Sequence, residues 1–456
     1  MTHTDPAHAA PPAAPAAPAA AYTPFSDRTA RQPVMTPDWT LAQRLGFRFA
    51  LVYILLYTYP GPVQELPFLS FTSAPSEAFW RAAVPWFGAH VLHLAHPVST
   101  VPSGSGDKLF DWVQIAAMLA LSLIAAVVWT ALDRRHRSHP RLFAALRLYL
   151  RFTLASILFG YGFDKVIPNQ FEPMGPIRLT QYFGDASPGG FAWSFLGSSV
   201  TYTIFAGTGE VLAGLLLLVR RTATLGAIIG AAVLTNVFML NMSYDIPVKQ
   251  YSFHLLLMCA ALVACDAPRL LNVLVRERAA DPPRQTQLFT TPAALRVARI
   301  GGVVLALWMI AGHLYTEVKG LYQFGRLAPR GPLYGIFEVD TVVKNGVVQP
   351  ALLTDATRWR RLAATARGAT VRLATDSVVR YRLQADSAMH MATLTAIGDT
   401  ANKAVLAYAF PDSMHLVLRG RVGADSVEMT LRRRSESSYL LVSRGFHWVN
   451  EVPYFR

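Results

Sequence analysis

The sequence predicts a mainly α-helical integral membrane bundle of about seven transmembrane helices, followed by a C-terminal antiparallel β-barrel-like or sandwich domain. Charged residues make up 15% of the 456 residues and apolar types 52%, and the mean hydropathy is +0.30. An average soluble protein carries about 25% charged residues. Seven apolar runs approach the roughly 20 residues that a helix needs to cross a bilayer. From about residue 317 the pattern changes to short alternating runs, which are typical of β-strands.

The chain begins with an Ala/Pro-rich segment, residues 1–38, that contains AHAAPPAAPAAPAAAY. Because this segment has neither a basic start nor an uninterrupted apolar stretch, we expect a disordered tail rather than a signal peptide. Two transmembrane helices with a long outer loop are expected in 39–142, and four more helices in 143–268. A cytoplasmic linker, 269–297, and a seventh transmembrane helix, 298–316, precede the outer β-rich domain, 317–456.

The apolar runs differ in how clearly each predicts a transmembrane helix. The sixth is the weakest, because Pro247 and Asp266 confine it and His254 lies inside it. The sequence therefore leaves open whether this run crosses the bilayer completely. The seven runs lie near 41–60, 112–132, 143–163, 200–219, 222–241, 251–267 and 298–316.

Basic residues indicate the orientation of the bundle, because loops rich in Lys and Arg resist translocation. Starting from the N-terminal tail, alternate loops carry a net charge of +10, and the remaining loops carry −3. The first set is therefore expected in the cytoplasm, and seven spans of a bacterial inner-membrane protein then place the C-terminal domain in the periplasm. That domain carries +7 of the formal +14. The net positive charge is thus explained by the cytoplasmic loops and the C-terminal domain. Nucleic acid is therefore not an expected partner.

The C-terminal region contains β-prone runs separated by turn signals. Asn345-Gly346 indicates a type I′ hairpin, and VGADS and GDTANK supply further turns. An antiparallel meander that closes into a small barrel or sandwich is expected. A short helix is expected over 355–367, and the terminal RGFHWVNEVPYFR is expected to cap the barrel mouth or to dock onto the membrane domain. The predicted strands are YGIFEV, TVVKNGVVQ, ATVRLAT, VVRYRLQ, KAVLAYAF, MHLVLRGRV, SVEMTLRRR and SYLLVSRGF.

The outer loop 61–111 contains AFWRAAVPWFGAHVLHLAH, whose aromatic residues and scarce charge indicate a helix lying in the membrane interface. His90, His93 and His96 form an HxxHxxH pattern on it. Only neighbours three positions apart share a helical face, so at most two of these histidines would bind one metal ion. We therefore assign no metal site.

Other candidate cofactor ligands are sparse. His254 and His313 lie on different apolar runs, and without a CxxCH motif haem is not favoured. Cys259 and Cys265 lie six residues apart in one run and point to different helical faces, so a disulfide is not expected. The cofactor stays unassigned, with a quinone as the class to consider.

Two ionisable residues lie inside apolar runs, where a charge is costly and marks a candidate functional site. Glu210 lies ten residues before Arg220, which places it about 15 Å deep. Arg151 lies in the third run, and its long side chain is expected to reach Glu210. Such a pair either binds a polar headgroup or relays protons, or it only holds two helices together.

Two polar sets follow the third and fifth runs, at the outer boundary. Both contain Tyr, Asp and Lys, and they are expected to face each other if their helices are neighbours. The resulting pocket would accept a quinone carbonyl or a small anion, with Tyr and His as proton donors. Anchoring at the lipid headgroups is the alternative. The first set is Tyr161, Asp164, Lys165 and Gln170, and the second is Asn241, Tyr244, Asp245, Lys249 and His254.

The third to sixth runs also resemble a known family. Arg151 in the third run is followed by GYGFDK at the end of the helix, and a later stretch reads GEVLAGLLLLVRRTATLGAIIGAAVLTNV. These features, over about 143–268, resemble the DoxX family of small four-helix membrane proteins. Family members include subunits associated with thiosulfate:quinone oxidoreductase, so the resemblance implies a four-helix core and a redox-associated subunit that faces quinone. The matching residues are Arg151, Gly162, Lys165, Glu210, Gly214 and Arg221.

The sequence thus favours a redox-associated membrane subunit with a quinone or small-anion site at the outer boundary. No nucleophile lies near a base at productive spacing, so no catalytic residue is assigned. Any enzymatic role would be that of a subunit of a quinone-linked oxidoreductase. The alternative is a non-catalytic scaffold or small-molecule transport protein whose outer domain binds a ligand or a periplasmic protein. The lipid bilayer is the expected partner in both cases.

Overall fold

The structure, a computed structural model, describes residues 38–61, 69–280 and 286–454. It consists of a helical bundle followed by a closed β-barrel. The predicted N-terminal tail lies outside the described residues except for Asp38. The helices of the bundle are α1 Leu41–Thr58, α2 Ala74–His90, α3 Leu109–Leu132, α4 Pro140–Val166, α5 Pro176–Leu179, α6 Pro188–Ser198, α7 Val200–Leu218, α8 Ala223–Ser243, α9 Lys249–Ala264, α10 Ala267–Leu274 and α11 Pro292–Gln323.

Five of these helices, α3, α4, α7, α8 and α11, are long and apolar enough to cross a membrane. The predicted helical membrane region is confirmed, but two of the seven apolar runs differ from the others. The sixth run is broken into α9 and α10, which meet at an angle of 71° and count as one further span only if taken together. The first run forms α1, which is not among the five because Arg44 and Arg48 lower its hydropathy.

The break after α9 has a local cause. The carboxylate of Asp266 accepts hydrogen bonds from Arg147 at 2.9 Å and from the hydroxyl of Thr224 at 2.7 Å. These bonds tie the chain to the starts of α4 and α8, and Pro268 then opens a new helix.

The two central helices, α4 and α7, approach each other closely through glycine. A Cβ atom on Gly207 would lie 2.6 Å from the carbonyl oxygen of Gly162, and one on Gly162 would lie 2.7 Å from the side chain of Val211. Glycine at both positions lets the two backbones touch, which is how transmembrane helices commonly pack. The buried core around them includes Leu154, Phe159 and Leu217.

The helix predicted in the outer loop is α2. Trp80 and Val84 are buried against Val113 and Met118 of α3. The helix ends at His90, and His93 has a left-handed φ of 50°. The HxxHxxH pattern therefore does not continue along one helical face, contrary to its expected placement on a single helix.

The C-terminal domain is a closed antiparallel barrel of eight strands, as the sequence predicts. Strands follow one another around the sheet, and β1 pairs with β9 to close it. The two-residue strand β2 pairs with the end of β1 beside the barrel. The strands are β1 Gly335–Lys344, β2 Val347–Val348, β3 Trp359–Ala364, β4 Gly368–Leu373, β5 Val378–Asp386, β6 Met391–Ala396, β7 Lys403–Ala409, β8 His415–Val422 and β9 Asp425–Arg434.

The barrel interior is filled with side chains. Burial alternates along strands such as β7, and Phe337, Leu406 and Leu416 are completely buried. The type I′ hairpin is confirmed, because Asn345 (φ 51°) and Gly346 (φ 81°) alone separate β1 from β2.

Three local predictions in this domain were wrong. The helix expected in 355–367 is instead strand β3, whose residues Trp359, Leu362 and Ala364 enter the barrel core. The run SYLLVSRGF contains the short helix α12, Leu440–Ser443, because β9 already pairs with β1 and leaves no open edge for another strand. Phe446 and Trp448 of the terminal segment do not cap the barrel, since they are 81% and 87% exposed.

The barrel packs against the segment between α4 and α6. Arg372 of β4 is buried, and its guanidinium lies 3.7 Å from the ring centroid of Tyr182. It donates hydrogen bonds to the carbonyl oxygens of Thr180 at 3.3 Å and Asp376 at 3.0 Å. The hydroxyl of Tyr182 donates to Asp376 at 3.1 Å. One arginine therefore joins the barrel to the membrane bundle.

Candidate functional site

The centre of the candidate site is a buried ion pair between α4 and α7. The ammonium group of Lys165 donates to both carboxylate oxygens of Glu210, at 3.0 and 2.8 Å. The two side chains are only 9% and 3% exposed. Lys165 also donates to the carbonyl oxygen of Tyr161. The two opposite charges stabilise each other here, because both are buried and water cannot solvate either of them.

The expected pair between Arg151 and Glu210 is wrong. Arg151 instead donates to the carbonyl oxygens of Leu217 at 2.8 Å and Leu218 at 2.9 Å. Because α4 and α7 run in opposite directions, Arg151, near the start of α4, lies beside the end of α7. There the last turn of a helix leaves carbonyl oxygens that need donors. The arginine therefore caps a helix, and the lysine near the end of α4 meets the glutamate.

A second group of polar side chains joins Asp164 to α11. The carboxyl groups of Asp164, near the end of α4, and Glu317, on α11, are close neighbours. The amide of Asn169 donates to the carbonyl oxygen of Glu317 at 2.7 Å and to its carboxylate at 2.9 Å. The side-chain oxygens of Asn169 and Gln170 are buried, and no hydrogen-bond partner for them lies within the described residues.

His313 lies one helical turn before Glu317 on α11. Its Nε2 atom is 3.2 Å from the hydroxyl of Ser156, which is completely buried in α4. The ring packs beside Gly160, where a Cβ atom would lie 3.3 Å from it. Polar groups thus continue from the end of α4 into the interface between α4 and α11.

The second predicted set lies at the end of α8 and the start of α9, and three of its members form bonds within that segment. Asn241 donates to the hydroxyl of Ser252 at 3.0 Å. Lys249 and Asp245 form an ion pair at 2.7 Å, in which the aspartate side chain is 85% exposed. The hydrogen bond from Lys249 lowers the pKa of Asp245. This set therefore does not supply the buried pocket that was expected between the two sets.

Two further members of the second set also lie apart from Lys165. The backbone oxygen of Tyr244 lies beside Gly189 of α6. His254 packs against α1, where its Nε2 atom is 2.6 Å from the hydroxyl of Tyr53 and its ring stacks on Tyr57 at 4.1 Å. Tyr161 of the first set does contact α9, through the ring of Tyr251, with ring centroids 6.2 Å apart, but Tyr251 is not a member of the second set.

The sequence did not point to Glu317, Asn169 or Ser156. Glu317 lay just beyond the seventh run as predicted, 298–316, but α11 extends to Gln323. The spacing of His313 and Glu317, four residues apart, was the available signal, because such residues share a helical face.

The arrangement is chemically suited to holding a proton between neighbouring carboxyl groups. Within the described ranges, no group of three or more His, Cys, Asp or Glu side chains is placed to hold a metal. Two carboxyl groups in contact are best accommodated when they share a proton, since two adjacent carboxylates repel each other. Asp164 and Glu317 are therefore able to take up or release a proton beside a fixed ammonium–carboxylate pair.

Comparison with known proteins gives one informative relative. Over 136 residues the chain is 37% identical to the uncharacterized protein YwoB of Bacillus subtilis (strain 168). The matched segment is 29% of this chain and 82% of the relative. No family model matches the chain, and no solved structure matches it.

Proposed function

The chain belongs to the family of YwoB, an uncharacterized protein whose name gives no activity, so we propose a function from the residues of this chain. It is a redox-associated membrane protein that binds quinone. The observation that carries this proposal is the contact between Asp164 and Glu317 beside the Lys165–Glu210 pair. Quinone chemistry combines a carbonyl oxygen, which needs a hydrogen-bond donor, with the uptake or release of protons. The site contains groups for both tasks.

The roles of the individual residues follow from their contacts. Lys165, whose ammonium is held by Glu210 and by the carbonyl oxygen of Tyr161, would attract a quinone carbonyl at the end of α4 through its positive charge. Asp164 and Glu317 would exchange a proton with the bound headgroup. Asn169 positions Glu317 by binding both its backbone and its carboxylate. Quinones dissolve in the bilayer, so a site between membrane helices is accessible to them.

Quinone binding agrees with the resemblance to the DoxX family, and we also propose that residues 143–268 belong to that family. Lys165, Glu210, Gly162 and Arg151, which carry that resemblance, all lie where α4 contacts α7. In this proposal the membrane is the bacterial inner membrane, the N-terminus is cytoplasmic and the barrel is periplasmic, in accordance with the charges of the loops.

Quinone retention tests the proposal. The full-length protein is purified in mild detergent, incubated with ubiquinone or menaquinone, and its bound quinone is measured by mass spectrometry. We expect Asp164→Asn and Glu317→Gln to lower occupancy about tenfold each, the effect of losing one hydrogen bond to a charged group. Asp245→Asn is the matched control, because that carboxylate is exposed and bonded to Lys249. Equal occupancy in all variants, or none in the wild type, would contradict quinone binding at this site.

A non-catalytic scaffold is the second candidate, and the packed barrel interior favours it. With Phe337, Leu406 and Leu416 completely buried, the barrel would bind a partner on its outer surface. Arg380 and Arg382 are exposed there on β5. If the barrel is a docking domain, changing both to Glu should abolish co-purification of an acidic partner without altering quinone retention. Unchanged co-purification would argue against that surface.

A further inference from the structure

A second candidate site lies at a different place in the bundle, where α1, α2 and α3 meet. A cavity of about 340 Å³ opens between the end of α1, the first turns of α2 and the start of α3. Cavities of at least about 300 Å³ are large enough for small ligands. Tyr57 and Trp80 form part of its wall, and Leu56 and Met118 line its apolar portion.

The cavity lies at the end of the bundle that also carries the barrel. The loop before α3 is tied to the start of α9, because Asp107 accepts hydrogen bonds from the backbone of Lys249 at 2.7 Å and Gln250 at 3.0 Å. The end of α8 in turn contacts α6, which follows the segment that binds the barrel. The ends of membrane helices with Tyr and Trp residues are where lipid headgroups lie.

The charged residues of the wall are balanced, with two of each sign. Glu77 and Arg81 come from α2, and Lys108 and Asp111 from the start of α3. Arg81 is only loosely paired, with its guanidinium 3.9 Å from Glu77. The ammonium of Lys108 donates to the carbonyl oxygen of Val101, although an ammonium has three N–H groups to donate. Two cations and two carboxylates at one cavity suit a ligand that itself carries both charges.

We propose that this cavity binds the headgroup of an ethanolamine phospholipid. Arg81 and Lys108 bind the phosphodiester, and Glu77 and Asp111 accept hydrogen bonds from the primary ammonium. Trp80, almost completely buried, adds an aromatic face to which a cation is attracted. The apolar side chains of Leu56 and Met118 lie where the lipid's glycerol and first acyl carbons would pack. This site is independent of the proposed quinone site.

Lipid competition tests the proposal on the full chain. The detergent-solubilised protein is incubated with equal amounts of phosphatidylethanolamine, phosphatidylglycerol and phosphatidylcholine, and the retained lipids are identified by native mass spectrometry. We expect phosphatidylethanolamine to be retained preferentially. Glu77→Gln should lower its retention about tenfold while sparing phosphatidylglycerol, and Arg81→Gln should lower both, since each removes one charged hydrogen bond. Arg137→Gln is the control, because Arg137 is an exposed arginine that pairs with Asp38.

Glu77 and Arg81 are exposed, so both variants are expected to fold, which size-exclusion chromatography verifies. Retention of the three lipids in equal amounts, or an unchanged preference in both variants, would overturn the proposal. Soluble glycerophosphoethanolamine distinguishes the source of the headgroup. Thermal stabilisation by the lipid but not by the soluble compound supports a membrane lipid as the ligand, whereas stabilisation by the soluble compound alone would refute it.

Discussion

The ammonium nitrogen of Lys165 lies 2.8 Å from a carboxylate oxygen of Glu210, although 45 residues separate them in the chain. Removing one partner leaves the other charge buried and unpaired. We expect Lys165→Met and Glu210→Gln each to lower the free energy of unfolding by about 3–5 kcal/mol. The measurement is reversible unfolding in mixed detergent micelles.

The double variant separates a structural from a functional role. If the pair only holds α4 to α7, Lys165→Met combined with Glu210→Met should recover most of the stability and leave quinone retention unchanged. If Lys165 binds the quinone, stability should recover but retention should not. Additive destabilisation in the double variant would show that the two residues do not act as a pair.

A close helix approach supports this ion pair. A Cβ atom on Gly207 would lie 2.6 Å from both the carbonyl oxygen of Gly162 and the Cβ of Lys165. Gly207→Ala should therefore force the helices apart and cost about 1–3 kcal/mol of unfolding free energy. Gly301→Ala, in α11, is the matched control, because no atom lies within 4 Å of the added carbon. A stability equal to wild type in both variants would contradict the close packing.

The contact between Arg372 and Tyr182 should control how firmly the barrel is attached. Arg372→Met removes a desolvated cation–π contact and two hydrogen bonds, with an expected cost of about 2–4 kcal/mol to docking. Hydrogen exchange of the segment 176–185 should then become faster, with little change inside the barrel. Arg419→Met is the control, since Arg419 is an exposed barrel arginine that pairs with Glu428. Unchanged exchange in Arg372→Met would mean that other contacts hold the barrel.

Titratable side chains at the end of the bundle opposite the barrel should make the stability of the folded protein depend on pH. Completely buried Arg48 donates to His139 at 2.9 Å and to Asp133 at 2.9 Å. Burial lowers the pKa of His139, with the nearby Arg48 charge adding to the effect. The folded state therefore keeps a neutral ring, whereas the unfolded chain takes up a proton near pH 6.5. The stabilisation from His139 is complete above that pH and declines as the pH falls.

Asp133 should add a second decline at lower pH. The hydrogen bond with His136 is the chief cause that lowers the pKa of Asp133 to about 2, with a smaller contribution from Arg48. Its stabilisation is present above the unfolded pKa of about 4 and is lost between there and pH 2. Apparent melting temperatures of the full-length protein between pH 7 and pH 2 should show both declines. His139→Gln should remove the first and leave the second, whereas His96→Gln, at an exposed position, should change neither.

The sequence was sufficient for features that depend on composition and local pattern. Long apolar runs predicted most of the membrane helices, alternation predicted the β-domain, and Asn345-Gly346 predicted its hairpin. The depth of Glu210 was also sufficient to mark it as a buried charge. These features require only the few residues on either side of each position.

Which side chains and strands pair with each other was not predictable from such local patterns. Arg151 and Lys165 lie on the same helix and either was a reasonable partner for Glu210 until the crossing of α4 and α7 was known. Strand β3 was missed because TRWRRLAAT is rich in arginine, and its burial depends on pairing with β1 and β4. Glu317 was missed because its contacts, such as the hydrogen bond from Asn169, come from residues far away in the sequence.

Barrel closure also affects the order of events during synthesis. The first strand, β1, can complete its hydrogen bonding only when β9, the last strand of the barrel in chain order, pairs with it. Because β9 is synthesised after all the other strands, the sheet closes only once β9 has been made. The helical bundle can insert while translation continues, but the barrel must wait, with β1 and β8 exposed as strand edges until then. Arg372 and Tyr182 could bring β4 to the bundle during this interval, and would then limit where the growing sheet can extend.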